Sequence, residues 1–233
     1  MHDSEVSFLN QQFFADHVTP AQLDTLLEQG WRHFGTHFFR YSYAFYGLDV
    51  RQVIPLRIRL KEFSLSKSQR RTLKRNSDLK TVIRPIKITP ESESLFERHK
   101  QRFQSGLPDS IYDFVSHCPD TEPCEAREAA VYDKNEMLVA VSYFDLGERS
   151  SSGIYAMFEP AESHRRLGIF TMLKDIEYAI KIGRKFYYQG YSYEGTSFYD
   201  YKKRFRGTEG FDWAGNWALL SDQASTPVHD TEA

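Results

Sequence analysis

The sequence predicts an α+β fold, a mixed sheet flanked by helices. Three observations carry that prediction. The stretch Ile54-Pro55-Leu56-Arg57-Ile58-Arg59-Leu60 alternates apolar and basic residues, the period of a strand with one wet face. Leu167, Phe170, Leu173, Ile176 and Ile180 recur at a spacing that keeps them on one face of a helix. Apolar runs at 128–132, 137–144 and 154–158 precede that helix, and another at 185–191 follows it.

Composition bounds the function. The chain has 233 residues, 40% hydrophobic and 15% aromatic, enough to bury a real core in one domain or two small ones. No apolar run approaches a membrane span. The start, MHDSEVSFLNQQFF, is acidic and polar where a secretory signal would be basic and then apolar. A soluble, cytoplasmic protein is expected. Cys118 and Cys124 are too few for a disulfide framework and read as reduced thiols. The net charge is −2, yet residues 57–75 hold eight Lys or Arg against the single Glu62. The rest of the chain is therefore acidic on balance, and the positive charge is concentrated.

Taken in order, Thr19-Pro20 caps and opens a helix with an apolar face of Leu23, Leu26 and Leu27, ended by Gly30. Residues 31–40 are aromatic and extended. His33 and His37 are four apart, a metal spacing only on a helix; with Gly35 between them they read as ordinary polar or packing histidines. Residues 41–53 read as a loop with three tyrosines, and 54–60 as a strand. Ser66 caps a short basic helix at 67–76. That helix is either a solvated face or a phosphate-binding one, since so many cations repel one another without an anion. A strand at 82–88 and a helix from Thr89-Pro90 to about Phe103 follow. Three prolines break 107–125. Residues 133–136 join the next two strands as a hairpin. Residues 147–153 read as a polar turn, and the end, 221–233, as a disordered tail. The expected organisation is an N-terminal region at 1–90, packed on or continuous with a catalytic core at 91–220.

The second half thus reads strand, strand, strand, helix, strand. That order is the acyl-CoA N-acyltransferase (GNAT) order: an antiparallel meander, a crossover helix, and a parallel strand splayed from its neighbour. The helix start also suits an anion, because first-turn amides lack partners and the helix dipole adds positive charge. Arg165, Arg166 and Gly168 stand there, and Gly190 would let a ligand approach the backbone of the following strand.

Two blocks resemble a known family. The first is Pro55-Leu56-Arg57-Ile58, Phe63, Ser66-Lys67-Ser68-Gln69-Arg70-Arg71 and Arg75-Asn76-Ser77-Asp78-Leu79. The second is Glu159-Pro160, Leu167-Gly168, Glu177, Tyr187-Tyr188-Gln189-Gly190-Tyr191, Tyr201-Lys202 and Phe205-Arg206. With Gly30-Trp31-Arg32 they span about residues 25 to 210 in the order found in arginyl- and leucyl-tRNA–protein transferases. The resemblance implies a GNAT-like aminoacyltransferase moving Arg or Leu from a charged tRNA to the α-amine of a protein or peptide, usually one with an acidic N-terminal residue. Two departures are visible. Members carry a cysteine cluster before the Pro-Leu-Arg-Ile strand, whereas residues 41–53 hold no cysteine; Gly207 stands where proline is usual.

The chemistry assigns roles. An aminoacyl ester is already activated, so the enzyme must position an amine, remove a proton and stabilise an oxyanion. No Ser-His-Asp or Cys-His pattern is evident, which agrees with direct attack, and neither cofactor nor metal is expected. Tyr191 and Glu194 are the catalytic candidates. Arg57, Ser68, Gln69, Gly190, Lys202 and Arg204 are the substrate-binding candidates, with Lys202, Arg204 or Arg57 facing an acidic acceptor. Arg70, Arg71, Lys74, Arg75, Arg165 and Arg166 are the tRNA-binding candidates. Two rivals remain. One is an acetyl-CoA-dependent acetyltransferase, against which the bulky Phe170 argues in a turn that wants small residues. The other is a non-catalytic module that binds tRNA or protein N-termini.

Overall fold

A computed structural model describes residues 7–103 and 106–220. The expected tail at 221–233 lies outside the described residues. In chain order the elements are β1 (Asn10–Phe14), α1 (Pro20–Glu28), β2 (Arg32–Phe34), β3 (His37–Tyr41), β4 (Tyr43–Tyr46), β5 (Asp49–Arg59), α2 (Lys67–Arg75), β6 (Lys80–Pro85), α3 (Pro90–Lys100), β7 (Ala126–Tyr132), β8 (Leu138–Leu146), β9 (Ser150–Phe158), α4 (Leu167–Lys181), β10 (Phe186–Tyr193), α5 (Asp200–Lys203), β11 (Thr208–Phe211) and β12 (Trp217–Leu219).

One large mixed sheet runs in the order β12-β11-β5-β10-β9-β8-β7-β6, with β4 added on β5. Strands from the first ninety residues, β5 and β6, sit beside β10 and β7. A small sheet of order β1-β3-β2 packs through Val18, Trp31 and Phe38. The fold is mixed α/β with helices on the sheet. Ile176, Leu173 and Ala179 of α4 pack on Ile58 and Tyr187, while Leu95 and Phe96 of α3 pack on Val141, Tyr143 and Met157.

The helices start as their caps dictate. Thr19, Ser66 and Thr89 each accept from the third backbone amide, and Gln22, Gln69 and Ser92 reach back to the capping residue. Two expectations are corrected. Residues 41–53 are not a loop: β4 and the start of β5 form a hairpin about Gly47-Leu48, with Tyr46 packed on Tyr193. Tyr41 ends β3, and Tyr43 and Tyr46, which look like loop chemistry, are side chains of β4. Residues 150–153 belong to β9 rather than a turn. Their serines are fully buried because each hydroxyl finds a partner: Asp24 for Ser150, the Asp145 carbonyl at 3.0 Å for Ser151, and Arg32 for Ser152.

The feature that positions the site is a split. Parallel pairing of β9 and β10 is confined to Ser150–Phe186, Ser151–Tyr187 and Ser152–Tyr188. Beyond these pairs the strands diverge toward their C-terminal ends, where β9 leads into the start of α4. β10 keeps its other neighbour, β5, through a bulge at Gln189. Divergence strips backbone groups of their ladder partners, and these must be satisfied otherwise.

Candidate active site

Two cations occupy the lips of the split. Arg32 of β2 is 9% exposed; it donates to Ser152 Oγ at 2.6 Å and to the Gly153 carbonyl of β9. Lys202 of α5 donates from Nζ to the Tyr191 carbonyl of β10 at 3.1 Å. Each side chain serves a carbonyl that a closed ladder would have paired. Gly190 lies between them with φ +87°, a backbone that disfavours any side chain. A Cβ there would stand 3.4 Å from Lys202 Nζ and 3.9 Å from Arg32. Burial lowers the affinity of both cations for their protons, and for Lys202, with Arg32 beside it, the value falls to about 7. Asp145 attracts Arg32. Among the described residues no carboxylate pairs with Lys202.

Buried polar groups lie on the same strand as Gly190. Gln189 is 4% exposed; its Nε2 donates to the Lys202 carbonyl at 3.0 Å, while its Oε1 has no partner among the described residues. Ser192 Oγ is likewise buried and unpartnered. Such orphans are uncommon in native proteins and call for a ligand or water. On the α4 side of the sheet, Asp175 accepts from Ser142 Oγ at 2.7 Å and from the Tyr187 hydroxyl at 3.2 Å. Burial pushes its carboxyl up to about 7, against those two hydrogen bonds.

The structure brings Gly190, Tyr191 and Lys202 together. It also joins the basic helix to the start of α4. Leu73 of α2 packs against Leu167 and Phe170, Arg166 donates to Ser68 Oγ at 3.2 Å, and Asn76 Nδ2 donates to the Arg165 carbonyl at 3.0 Å. Arg70, Arg71, Lys74, Arg75 and Arg166 are all exposed there, at the open end of the split.

Other candidates are committed elsewhere. Arg57 is 6% exposed and bonded to Glu209 at 2.7 Å, with its guanidinium 4.0 Å from the Phe186 ring centre and 4.3 Å from that of Trp217. Its charge is taken up inside the sheet, so it is a structural cation rather than a binding one. The Tyr191 hydroxyl donates to the Gly30 carbonyl at 2.6 Å, and burial raises its pKa. Its hydroxyl anchors β10, and its carbonyl faces the split. Gln69 completes the α2 cap. Arg165 bridges Asp78, at 2.9 and 3.1 Å, and Glu162, at 2.6 Å; the bond to Arg165 holds the Asp78 carboxyl low. Glu194 is exposed in a shallow groove with Tyr43, Arg51 and Gln52. Arg204 is exposed just past α5. Phe170 points into the core at 2% exposure, so it does not obstruct the start of α4. The sequence reading missed Arg32 and Gln189 as site residues, although both lay within the motifs that carried the resemblance.

Comparison with known proteins identifies the family. The family model described as "Arginine-tRNA-protein transferase, C terminus" matches residues 91–212, and its N-terminal counterpart matches residues 2–71. An aspartate/glutamate leucyltransferase of Xanthomonas axonopodis pv. citri (strain 306) is 31% identical over 182 residues, 75% of this chain and 72% of the relative. One from Leptospira interrogans serovar Lai (strain 56601) is 27% identical over 202 residues, 82% of this chain and 74% of the relative. Among solved structures, FemX matches with a TM-score of 0.51 at 10% identity, covering 87% of this chain and 69% of that one, a likeness of fold alone. No described helix is long and apolar enough to cross a membrane. The chain belongs to the arginine-tRNA-protein transferase family and is an aminoacyltransferase of that family.

Proposed function

We propose that the split between β9 and β10 transfers leucine from leucyl-tRNA to the α-amine of a protein or peptide beginning with Asp or Glu. The relatives' names supply leucine and the acidic acceptor. The observation that carries the reading is the Lys202–Arg32 pair beside Gly190, a half-buried and a buried cation of which Lys202 lacks a carboxylate. An acceptor side-chain carboxylate is the counterion that such a floor lacks, and a charge-assisted bond there would favour acidic acceptors over neutral ones.

The reaction needs little from the protein beyond placement. The acceptor amine attacks the ester carbonyl carbon, and the C–N bond forms as the C–O bond to the tRNA ribose breaks. The amine gives up a proton, and the departing ribose oxygen takes one. A free α-amine has a pKa of roughly 7.7–8.0, so a neutral fraction is present at cellular pH. Gln189 Oε1, buried and without a partner, is the acceptor we assign to the amine N–H, a bond that would aim the nitrogen lone pair. The exposed cations of α2, with Arg166, grip phosphates of the tRNA at the open end.

The test supplies labelled leucyl-tRNA, arginyl-tRNA or acetyl-CoA to peptides starting with Asp, Glu or Ala. Transfer of leucine to Asp and Glu in strong preference to a slow transfer to Ala supports the reading. Arginine transfer revises the donor. Transfer only from acetyl-CoA, or none from any donor, overturns it.

A further inference from the structure

A second group of buried polar side chains takes no part in this transfer chemistry. His33 of β2, Cys124 in the segment before β7 and Asp145 of β8 are 3%, 1% and 1% exposed. One donor atom from each lies within 4.8 Å of the other two. His33 Nε2 is 3.0 Å from Asp145 Oδ2, and Cys124 Sγ is 3.4 Å from Asp145 Oδ1. The separations of 3.0 and 3.4 Å suit nitrogen, oxygen and sulfur donors sharing one ion at about 2.0–2.3 Å.

The histidine ring adds a second argument. His33 Nδ1 faces the Gly35 carbonyl at 2.9 Å. A carbonyl only accepts, so Nδ1 carries a proton. A neutral ring then turns the Nε2 lone pair toward a carboxylate oxygen, and the contact is repulsive unless a cation or a second proton lies between them. A ring nitrogen tied to a backbone carbonyl, with the other nitrogen free to ligate, is the usual support of a metal-bound histidine. Sulfur reaches the same carboxylate from a third segment, from a buried apolar cluster with Leu23, Leu27 and Tyr188. Imidazole, thiolate and carboxylate together suit a zinc-class ion and not magnesium or calcium.

We propose that His33 Nε2, Cys124 Sγ and a carboxylate oxygen of Asp145 bind one divalent ion of the zinc class. On binding, the Cys124 thiol loses its proton to solvent, and two anionic ligands offset the ion's charge. The ion ties β2 and the segment before β7 to β8. His33 follows Arg32 directly, so the same clamp fixes the strand that delivers Arg32 to the split. The site is built from residues outside 41–53 and stands independently of the transfer reading.

The full chain, purified without chelator, is assayed for metal by mass spectrometry. It is then stripped and titrated with Co2+. About one ion per chain is expected, with a near-ultraviolet thiolate-to-cobalt band and a rise in melting temperature as metal is added. Cys124→Ser should abolish the band, whereas Cys118→Ser, at an exposed thiol, should leave it unchanged. A folded wild-type chain that carries no ion and gives no cobalt–thiolate band overturns the proposal. A band that survives Cys124→Ser overturns it as well. The wild-type measurements decide the matter even where a variant fails to fold.

Discussion

Arg57 and Arg32 are both buried arginines on strands near β10, and they have opposite surroundings. Arg57 meets Glu209, the Tyr188 hydroxyl and two aromatic faces, and Glu209 also takes Arg59. Arg32 meets a serine hydroxyl and a carbonyl, and Lys202 sits close by. In the first case the protein supplies the counterion, and the charge joins β5 to β11. In the second the protein places two like charges together and leaves Lys202 without one. Burying unneutralised charge is costly, so a site that retains it is the better candidate for ligand binding. Charge alone did not mark this difference, because the sequence shows Arg57 and Arg32 alike as basic residues.

Breaking the satisfied site should have the largest effect. Glu209→Gln leaves Arg57 buried without its carboxylate, and removing one partner of a buried pair costs about 3–5 kcal/mol. Urea unfolding should show the midpoint falling with little change in slope. A loss under about 1 kcal/mol would mean that the stacking on Phe186 and Trp217, and not the ion pair, holds Arg57.

Lys202→Met should do the reverse. Stability should be kept or raised, since an uncompensated charge is replaced by an apolar chain of similar length. Transfer to Asp and Glu peptides should fall by about 30-fold or more, the equivalent of losing a buried charge contact worth at least about 2 kcal/mol. Transfer to an Ala peptide should change little. An equal fall for all three peptides would make Lys202 a structural residue of the split.

The pH profile sharpens the same contrast. Lys202 must be charged to hold a carboxylate, and in the free protein its pKa is lowered to about 7, by burial first and Arg32 second. Specificity for acidic acceptors should therefore decline as pH rises through 7, while the acceptor amine becomes more reactive toward roughly pH 8. For kcat/KM on an Asp peptide the two trends give a narrow maximum between those values. Lys202→Arg keeps its charge across this range, so the alkaline limb should disappear. An Ala peptide should lack that limb even with the wild-type protein.

Much of the fold was legible because periodicity and caps are local. The apolar stripe of α4 and the boxes at Thr19, Ser66 and Thr89 can be read within a few residues. The strand order β7-β8-β9 with α4 and β10 followed from spacing. The hairpin β4–β5 was missed because its tyrosines and glycine carry loop composition as readily as strand composition. The buried serines of β9 were missed because their partners, Asp24, Asp145 and Arg32, are distant in sequence. The site divided in the same way. Gly190 and Lys202 lay in recognisable blocks. The orphaned oxygen of Gln189 and the pairing of Lys202 with Arg32 are products of the split, and only tertiary structure shows them.

The smallest expected effect per residue lies on α2, where the charge is exposed. Arg71 and Lys74 face solvent at the open end, and surface changes there should leave stability within about 0.5 kcal/mol. If their partners are tRNA phosphates, Arg71→Gln should weaken binding without changing acceptor preference. It should also reduce the salt dependence of tRNA affinity by about 0.7–0.9 in the log–log slope, one phosphate contact. Arg165→Gln, by contrast, removes a bridge to Asp78 and Glu162, so its first consequence should be a loosened junction between α2 and α4. Binding isotherms at several salt concentrations, beside melting curves, separate the two. An unchanged slope in Arg71→Gln and in Lys74→Gln would leave α2 a solvated face and move the tRNA contact elsewhere on the molecule.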